Sequence, residues 1–462
     1  MGTRIEKDSM GSMHVDNSML YGASTQRAVL NFPVSGWKMP LDFIHALGII
    51  KAASALSNKQ LKKLDAKNAQ AIVDASLQVV QGKYDNHFAI DVFQTGSGTS
   101  SNMNANEVIA NIANLKLGGK VGSKHPIHPN DHVNMGQSSN DAVPTAMHIA
   151  TYVTLKTKLI PALKALEKTL LSKAIAYKKI IKIGRTHLQD ATPITLGQEF
   201  SGYAGAVGNN IKRIEATYPL LSELALGGTA VGTGINTHPQ FAKRAIQEIS
   251  KITKIKFKEA ENHFEAQSHK DSMLEVSGAL KTLAASLTKI ANDIRWLSSG
   301  PRCGFSEIEI AATQPGSSIM PGKINPVIAE SLLQVCAQVI GNDAAITIGV
   351  QAGNFELNVM MPLIICNLLN SIKLLTNGVT IFEEKCVRGI EANVKNCENT
   401  IEKSLALCTA LVPLIGYDKA AELSKKAYKT GKTIREICLE EKVLSEKELQ
   451  KALDPSSMLF PK

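Results

Sequence analysis

One loop near residue 320 constrains the fold of this chain most strongly. It reads Gln314-Pro315-Gly316-Ser317-Ser318-Ile319-Met320-Pro321-Gly322-Lys323-Ile324-Asn325-Pro326. Proline removes backbone donors and restricts the residue before it, so this segment is neither a regular helix nor a strand. Its hydroxyls, backbone N–H groups, ammonium and amide suit the binding of a carboxylate. The alternative is an ordinary connector rich in glycine and proline.

The composition indicates a globular protein that is mainly α-helical. The 462 residues are enough for two or three domains with a substantial core. Hydrophobic residues make up 44%, which together with a mean hydropathy near zero is typical of a soluble chain. Aromatic residues are only 5%, whereas alanine, leucine, isoleucine and lysine abound, and this balance favours helices.

The net charge of +10 has two interpretations. A basic surface would bind nucleic acid or an anionic membrane, or it would favour encounters with a small anionic substrate. No zinc-finger spacing or aromatic–basic alternation is present, so we predict no nucleic-acid partner. The lysines are scattered at spacings that predict exposed helix faces, for example Lys51, Lys59, Lys62, Lys63 and Lys67.

Cysteine usage and the N-terminal residues predict a cytoplasmic protein. The seven cysteines are far apart, odd in number and form no C-x-x-C pair, which favours reduced thiols. Residues 1–19 have no apolar core and contain acidic side chains, unlike a secretory signal or a transit peptide. No window supplies about 18 consecutive apolar residues, so we predict no membrane span.

Apolar residues at helical spacing predict a helical bundle. The pattern recurs in Lys51–Val80, Thr154–Ile181, Asp271–Leu297, Glu330–Ile348 and Asn358–Leu375. Alternating strand–helix units are lacking, which counts against a doubly wound sheet. The sequence predicts three domains: an N-terminal domain over residues 1–137, a central helical bundle over 138–394 and a small helical domain over 395–462. In the last, Gly416 precedes one helix and Gly431 separates it from the next.

Two polar loops are candidates for anion binding. Gln94–Asn102 places hydroxyls between glycines ahead of a predicted helix, and Gln137–Asp141 repeats the theme before the first bundle helix. Backbone N–H groups at a helix N-terminus, combined with hydroxyls, form an anion site. The alternative is that both loops are serine-rich helix caps without a ligand. The residues alone leave both interpretations open.

Three further segments contain residues with possible chemical roles. In Arg185–Asp190, His187 suits proton transfer, although a lone histidine is more often structural. The cluster His125, His128 and His132 is interrupted by prolines and lacks cysteine or glutamate, so we predict no metal site. Gly227–Gly234 is glycine-rich, but the Gly-Lys-Ser/Thr of a phosphate-binding loop does not follow it.

Taken together, these segments resemble one family over nearly the whole chain. Gly316–Pro326 is similar to the signature of the fumarase/aspartase superfamily, which adds or eliminates water, ammonia or an amine across the double bond of fumarate or a fumaryl product. Other landmarks follow in order: Leu20-Tyr21-Gly22, Thr25-Gln26-Arg27, Ser97-Gly98-Thr99, His128-Pro129-Asn130-Asp131, Gln137 to Asp141, Arg185 to Gln198 and Gly341-Asn342-Asp343.

Within that superfamily the chain resembles the class II fumarases. Four features carry this resemblance: Ser138-Ser139-Asn140, Asp190-Ala191-Thr192-Pro193, Gly227–Gly234 and Gly416-Tyr417-Asp418. Two departures are Ala23-Ser24 and Pro326-Val327-Ile328, and the second also occurs in the aspartase pattern. The resemblance implies a central bundle of long helices flanked by smaller N- and C-terminal domains.

The resemblance implies the reversible hydration of fumarate to L-malate, a step of the tricarboxylic acid cycle. A base removes a weakly acidic proton beside a carboxylate, so the enzyme must stabilise a dianionic aci-carboxylate. The catalytic residues that it implies are Ser317, His187, Glu330, Lys323 and Asn325. Ser317 would be the base and His187 the acid, with Glu330 behind the histidine. The sequence alone leaves open which of Ser317 and His187 moves which proton.

The resemblance also implies the binding residues and the assembly. The substrate-binding set is Ser97, Gly98, Thr99, Ser138, Ser139, Asn140, Thr186, Ser318, Lys323, Ile324 and Asn325. A second dicarboxylate-binding loop matches His128, Pro129, Asn130 and Asp131. Each site would be shared by three subunits of a homotetramer. No cofactor is expected, because the chemistry is proton transfer without redox.

Two alternatives stay open at the level of sequence. An aspartate ammonia-lyase of the same superfamily would share the loop and the carbanion chemistry but release ammonia. A non-catalytic helical scaffold is the more distant alternative. The joint presence of Ser317, Lys323, Asn325 and His187 argues against such a loss of catalysis.

Overall fold

The fold is mainly α-helical, which confirms the predicted class. The computed structural model describes residues 2–461, and helices account for 61% of the chain. In chain order the α-helices are α1 Ala23–Asn31, α2 Leu41–Gln60, α3 Ala66–Val80, α4 Thr99–Lys116, α5 Ser139–Thr154, α6 Ile160–Ala176, α7 Leu196–Glu215, α8 Tyr218–Leu221, α9 Phe241–Thr253, α10 His263–Ser268, α11 Asp271–Leu297, α12 Val327–Val350, α13 Met361–Lys385, α14 Val394–Asn399, α15 Val412–Ile415, α16 Tyr417–Thr430, α17 Ile434–Glu440 and α18 Glu446–Ala452. Shorter 3₁₀ and π turns are Asp85–His87, Pro129–Val133, Leu155–Leu159, Val387–Gly389, Leu405–Leu411 and Pro455–Met458.

The strands are few and pair only in twos. They are β1 Thr3–Asp8, β2 Gly11–Asp16, β3 Ile181–Thr186, β4 Gln189–Thr195, β5 Glu223–Leu224, β6 Lys258–Glu259, β7 Ile308–Glu309, β8 Gly353–Asn354, β9 Leu357–Asn358 and β10 Glu391–Ala392. Within residues 2–461 the pairs are β1–β2, β3–β4, β5–β6, β7–β10 and β8–β9, and only β5–β6 is parallel. The described part of the chain therefore contains no doubly wound sheet.

Helix α11 shows why apolar spacing predicts the long helices. Its buried apolar side chains recur every three or four residues, as Met273, Val276, Leu280, Leu283, Leu287, Ile290 and Ile294. This spacing places them on one face of a helix with 3.6 residues per turn. The predicted segment Glu330–Ile348 lies within α12. The segment Asn358–Leu375 overlaps α13, which begins only at Met361 because Asn358 belongs to β9.

Two predicted helical segments have different bounds in the structure. Lys51–Val80 is divided, because Lys62 adopts a left-handed φ of 59° and Asp65 then caps the start of α3. The pattern over Thr154–Ile181 continues a helical path that begins with α5. That path passes through a π turn into α6 and ends at Ala176. A π turn adds a residue to the helical repeat without ending the helix, so spacing alone does not locate it.

Contacts divide the chain into two compact units. Unit 1 consists of Met1–Pro161, Lys212–Ala284 and Cys336–Thr376. Within it α2 packs against α3, α4, α5 and α9. Most residues of α2 between Phe43 and Asn58 are buried, so α2 is the core helix of this unit. The side chain of Lys51 on this helix is 0% exposed, so the prediction that it lies on an exposed face is wrong.

Unit 2 contains the β3–β4 hairpin and the C-terminal helices. It consists of Ala162–Ile211, Ala285–Val335 and Asn377–Lys462. Ile183 of the hairpin belongs to a buried cluster with Leu407, Leu411, Leu423, Ile434, Ile437, Leu449 and Leu453. Gly416 and Gly431 bound α16 with φ values of 80° and 69°, which confirms the predicted helix limits. A positive φ is readily adopted only by glycine.

The three domains predicted from sequence stay a prediction. The division into units rests on contacts, and α11, α12 and α13 each contribute residues to both units. By length and composition alone, α12 and the segment Met361–Gly389 could cross a membrane, and 39% and 50% of their apolar windows are buried inside the chain. Bundle helices that pack on several sides share these properties.

Candidate active site

The signature loop between β7 and α12 is closed at its neck by Gly316. The N–H of Gly316 donates to the Lys323 carbonyl oxygen at 2.9 Å, and Asn325 Nδ2 donates to the Gly316 carbonyl oxygen at 2.5 Å. A Cβ at position 316 would stand 2.3 Å from that Lys323 oxygen, so only glycine fits. The segment is neither helix nor strand, as predicted, and it is a compact loop with adjacent ends.

Ser317 lies inside this loop with its hydroxyl oxygen held by backbone donors. Ser317 Oγ accepts hydrogen bonds from the N–H groups of Ile319 at 3.2 Å and Met320 at 2.9 Å. Such contacts occur in ordinary serine turns. They also stabilise negative charge on the oxygen, which is what a serine base requires. Ser318 beside it is exposed, and Ser317 is partly buried.

An open cleft adjoins the signature loop within unit 2. Its volume is about 960 Å³, within the range of small-molecule sites. The loop contributes Lys323, Ile324 and Asn325 to the wall, and Glu330 lies there on the first turn of α12. Arg295 from α11 adds a second cation. The cleft thus brings four of the predicted site residues to one open volume.

His187 lies at the tip of the β3–β4 hairpin. The strands pair Thr186 with Gln189, so His187 and Leu188 form a two-residue turn. Their φ values are 56° and 60°, the left-handed pair that such a turn requires and that Asn-Gly normally supplies. Thr186, His187 and Leu188 are all exposed in the single chain. Strained backbone at an exposed histidine is typical of a functional position.

A buried ion network anchors the strand that leads to His187. Glu307 Oε2 lies 3.0 Å from Lys182 Nζ in an ion pair, and Glu307 Oε1 accepts a hydrogen bond from Arg185 Nη2 at 2.8 Å. The Glu307 side chain is 0% exposed, and Lys182 also contacts Glu199 at 3.1 Å. The Arg185 guanidinium stacks over Phe305 at 4.2 Å from the ring centre. Both cations lie on β3, so one carboxylate fixes the strand next to the turn.

In unit 1 two helix starts bring three hydroxyls together. Thr99 Oγ1 lies 2.7 Å from Ser97 Oγ and 2.6 Å from Ser139 Oγ. Thr99 begins α4 and Ser139 begins α5, so both positive helix ends meet at these hydroxyls. Gly98 precedes α4 with φ 72° and makes no side-chain cap. These contacts favour the anion-site interpretation over that of a plain cap for Gln94–Asn102.

The start of α5 is held from inside the unit. Ser138 is its N-cap, in a reciprocal capping box with Asp141. Asp141 Oδ2 accepts from the N–H groups of Gly227 and Thr229, each at 3.0 Å, and burial raises the pKa of this carboxyl. Asn140 Nδ2 donates to the Ala230 carbonyl oxygen at 2.8 Å. The segment that sequence reasoning set aside as a weak phosphate cradle is therefore the support of the Ser138–Asn140 loop.

The second predicted dicarboxylate loop forms a π turn, Pro129–Val133. His128 is its N-cap, and His128 Nδ1 accepts from the N–H groups of Asn130 and Asp131, each at 3.2 Å. Burial lowers the pKa of His128, which the Asp131 carboxylate opposes. Asn130 and Asp131 are exposed, whereas Pro129 is buried. Because Nδ1 accepts these hydrogen bonds, the imidazole is neutral and carries its proton on Nε2.

The predicted site residues are distributed over the two units. Unit 1 holds Ser97, Gly98, Thr99, Ser138, Ser139, Asn140 and the loop His128–Asp131, and unit 2 holds Thr186, His187, Ser317, Ser318, Lys323, Ile324, Asn325 and Glu330. Within the described residues no hydrogen bond or ion pair joins His187 to Glu330. Across positions 2–461 no group of three or more His, Cys, Asp or Glu side chains is arranged to hold a metal ion. The roles of all these residues stay predictions.

Comparisons with known proteins identify the family of the chain. A lyase family model matches residues 11–341, and a model of the fumarase C C-terminus matches residues 407–459. The chain is 52% identical over 457 residues to a class II fumarate hydratase of Photorhabdus laumondii, covering 99% of this chain and 98% of the relative. It is also 52% identical to the mitochondrial fumarate hydratase of Saccharomyces cerevisiae, covering 99% and 94%.

A solved structure shares the fold over the full length. The crystal structure of a class II fumarase from Schistosoma mansoni superposes with a TM-score of 0.97 at 40% identity, covering 99% of both chains. The matched lyase family model and this superposition together define the class of protein. The chain belongs to the lyase superfamily of fumarases and aspartases. Within it, the full-length relatives place this chain in the class II fumarate hydratase family.

Proposed function

We propose that this protein is a fumarate hydratase that interconverts fumarate and L-malate. The observation that carries the proposal is the full-length identity of about half to class II fumarate hydratases. The signature loop keeps Ser317, Lys323 and Asn325 in one closed structure beside an open cleft. This is a hydro-lyase activity on a small dicarboxylate, and it is a reaction of the tricarboxylic acid cycle.

The proposed chemistry begins with proton removal at the carbon beside a carboxylate. Ser317 is the proposed base, since two backbone N–H groups already point at its Oγ and would stabilise an alkoxide. The resulting aci-carboxylate carries two negative charges. Lys323 and Asn325 would stabilise it electrostatically, a contribution of about 3 kcal/mol per donor in enzymes of this kind.

The leaving hydroxide needs a proton, which we assign to His187 acting with Glu330. Because the turn is exposed, the imidazole is accessible to any molecule or subunit that packs against the hairpin. The hydroxyls of Ser97, Thr99 and Ser139 would bind one substrate carboxylate, helped by the two helix ends. Together with Lys323 and Asn325, the proposed binding set is completed by Gly98, Ser138, Asn140, Thr186, Ser318 and Ile324.

We also propose that the protein is a homotetramer with each site shared by three subunits. Helix α12 leaves a stripe of small and apolar residues exposed, including Ala337, Ile340, Gly341, Ala344 and Ile348. Among the glycines inside long helices, four have open space beside them: Gly202, Gly205, Gly278 and Gly341. A Cβ at any of them would meet no described atom within 4 Å, apart from its neighbours in the helix. Glycine inside a helix costs about 1 kcal/mol relative to alanine, so a close neighbour is needed to explain it.

The oligomer is tested by light scattering on the purified protein. We expect a mass near four times the 49.7 kDa of one chain. If the helix faces are free, Gly341→Ala raises stability by about 1 kcal/mol on helix propensity alone. If a second copy packs there, Gly341→Leu gives dimers or monomers. A monomeric wild type would contradict the proposal.

Two further proposals complete the functional assignment. We propose a cytoplasmic location, supported by the seven cysteines, all of which are free thiols in the structure. Cell fractionation of the tagged full-length protein tests it. The loop His128–Asp131 is proposed to bind a second dicarboxylate, which a second, weaker event in calorimetric titration with succinate would support.

The activity is tested by ultraviolet absorbance of the fumarate double bond. L-Malate should give a rise, L-aspartate should give none, and Ser317→Ala and His187→Asn should each abolish most of the turnover. A rise with aspartate alone would identify an aspartate ammonia-lyase, and silence with both would favour the scaffold. Reassembly of mixed Ser317→Ala and His187→Asn chains should restore part of the activity if the two residues of one site come from different subunits.

A further inference from the structure

A buried lysine connects the segments that carry the proposed binding residues of unit 1. The Lys51 ammonium nitrogen lies 2.7 Å from Asn102 Oδ1, 2.9 Å from Asn134 Oδ1 and 2.9 Å from Gln137 Oε1. Its side chain is 0% exposed, on the core helix α2. A buried charge is tolerated only when hydrogen-bonded, and here three amide oxygens supply the partners.

The three amides are oriented by their own hydrogen bonds. Asn102 Nδ2 donates to Asn134 Oδ1, Asn134 Nδ2 donates to the Gln137 carbonyl oxygen, and Gln137 Nε2 donates to backbone carbonyls. Each oxygen is therefore left to face Lys51. Three acceptors require three N–H donors, which only the protonated amine provides. Burial lowers the pKa of Lys51 to about 7, while the nearby Asp141 carboxylate acts in the opposite direction.

Each partner of Lys51 stands beside a residue of the proposed site. Asn102 lies one helical turn after Thr99 on α4. Gln137 directly precedes Ser138, the N-cap of α5, and Asn134 directly follows the π turn Pro129–Val133. Lys51 thus contacts the first turn of α4 through Asn102. Through Asn134 and Gln137 it also contacts the segment that leads from the π turn to α5.

We propose that Lys51 is a positioning residue, whose ammonium sets the separation of the Thr99 and Ser139 hydroxyls that receive the substrate carboxylate. This inference rests on the proposed function for its catalytic consequence. Its structural part, the ordering of residues 133–141 by Lys51, does not depend on that function. Without the ammonium, the buried Asn102 oxygen and the partly buried Asn134 and Gln137 oxygens each lose a donor, and the segment relaxes to find others.

Lys270 provides a matched control in the same unit. It is also buried, burial lowers its pKa to about 7, and its ammonium donates to three oxygens, the carbonyls of Ala266, Gln267 and His269. These acceptors belong to the end of α10 rather than to either polar loop. A general effect of removing a buried lysine should therefore be the same at both positions.

The experiment compares full-length Lys51→Met and Lys270→Met with the wild type. For Lys51→Met we expect KM for L-malate and for fumarate to rise about tenfold or more, with a smaller change in kcat. The reason is that the Thr99 and Ser139 hydroxyls, which bind the substrate carboxylate, are displaced. Hydrogen exchange should rise in residues 133–141 of this variant. Lys270→Met should lose thermal stability without either change. Gln137→Leu keeps the lysine and removes one of its acceptors, so it should also raise KM. This second variant tests the inference if Lys51→Met does not fold.

The outcomes separate the inference from the proposed function. An unchanged KM and unchanged exchange in both Lys51→Met and Gln137→Leu would overturn the inference, as would equal effects of Lys51→Met and Lys270→Met. If the wild type has no activity on malate or fumarate, the proposed function fails. The exchange comparison then still decides whether Lys51 orders the loop.

Discussion

The carboxylate of Glu307 is expected to support the hairpin that carries His187, and Glu307→Gln tests this directly. The substitution keeps the size of the side chain and removes its charge. Lys182, whose side chain is 2% exposed, then retains only Glu199 as an anionic partner. Arg185, whose side chain is 14% exposed, loses the carboxylate that accepts the hydrogen bond from its Nη2. Two largely buried cations therefore lose their shared anion.

The size of the effect follows from burial. At the two separations of about 3 Å and an effective dielectric constant of about 20, each pair contributes roughly 5 kcal/mol of attraction before desolvation. Removing one partner of a buried pair typically costs about 3–5 kcal/mol. Because the glutamine oxygen still accepts a hydrogen bond and Glu199 remains beside Lys182, we expect the lower end, about 3 kcal/mol.

Urea unfolding at pH 7 measures this loss. The slope grows with the surface exposed on unfolding and exceeds about 3 kcal/mol per molar urea for a chain of this size, so the midpoint should fall by up to about 1 M. The control is Glu422→Gln, an exposed carboxylate in the same unit whose partner Lys419 likewise keeps a second acid, Glu441. That variant should leave the midpoint unchanged. A Glu307→Gln midpoint equal to the wild type, or equal shifts in both variants, would refute the reasoning.

Three other outcomes are expected. Gly96→Ala should prevent correct folding of the Ser97–Thr99 loop, because the new Cβ would stand 1.7 Å from the Val359 carbonyl oxygen; circular dichroism and activity report it. Thr99→Val, which removes the hydroxyl shared with Ser97 and Ser139, should raise KM for L-malate about tenfold with little change in stability; an unchanged KM would contradict its role. Burial and the charge of Lys270 lower the pKa of His148 from 6.5 to about 4, so the unfolded chain binds the extra proton and stability should fall as pH drops from 6.5 to 4, by up to about 3 kcal/mol. His148→Asn should flatten this dependence of the urea midpoint on pH, and an equally steep variant would exclude His148 as its cause.

The sequence predicts those parts of the fold that local rules govern. The spacing of apolar residues predicts α11, and the positions of Gly416 and Gly431 predict where α16 begins and ends. Both predictions succeed because they depend on a few neighbouring residues. The signature loop is predicted for the same reason, since proline and glycine exclude regular structure. The resemblance to the class II fumarases then predicts the activity.

Other features depend on residues that are distant in the chain. The hairpin at His187 has no Asn-Gly signal, and its left-handed turn is maintained by the buried contacts of β3 rather than by local preference. Lys51 has the spacing of a surface lysine, and its burial is possible only because three amides from two other segments surround it. The Gly227–Gly234 segment lacks a phosphate-loop motif, and its contact with Asp141 becomes visible only in the folded unit.

The turn at His187 and Leu188 has a consequence for evolution and for engineering. Each left-handed residue without glycine is disfavoured by about 1–2 kcal/mol relative to ordinary backbone. Selection for heat resistance alone would therefore move this pair towards Asn-Gly, the favoured composition for such a turn. A library screened only for thermal tolerance should enrich that replacement and yield robust proteins without turnover. A screen of this family must therefore measure the amount of product formed as well as the fraction of protein that stays folded after heating.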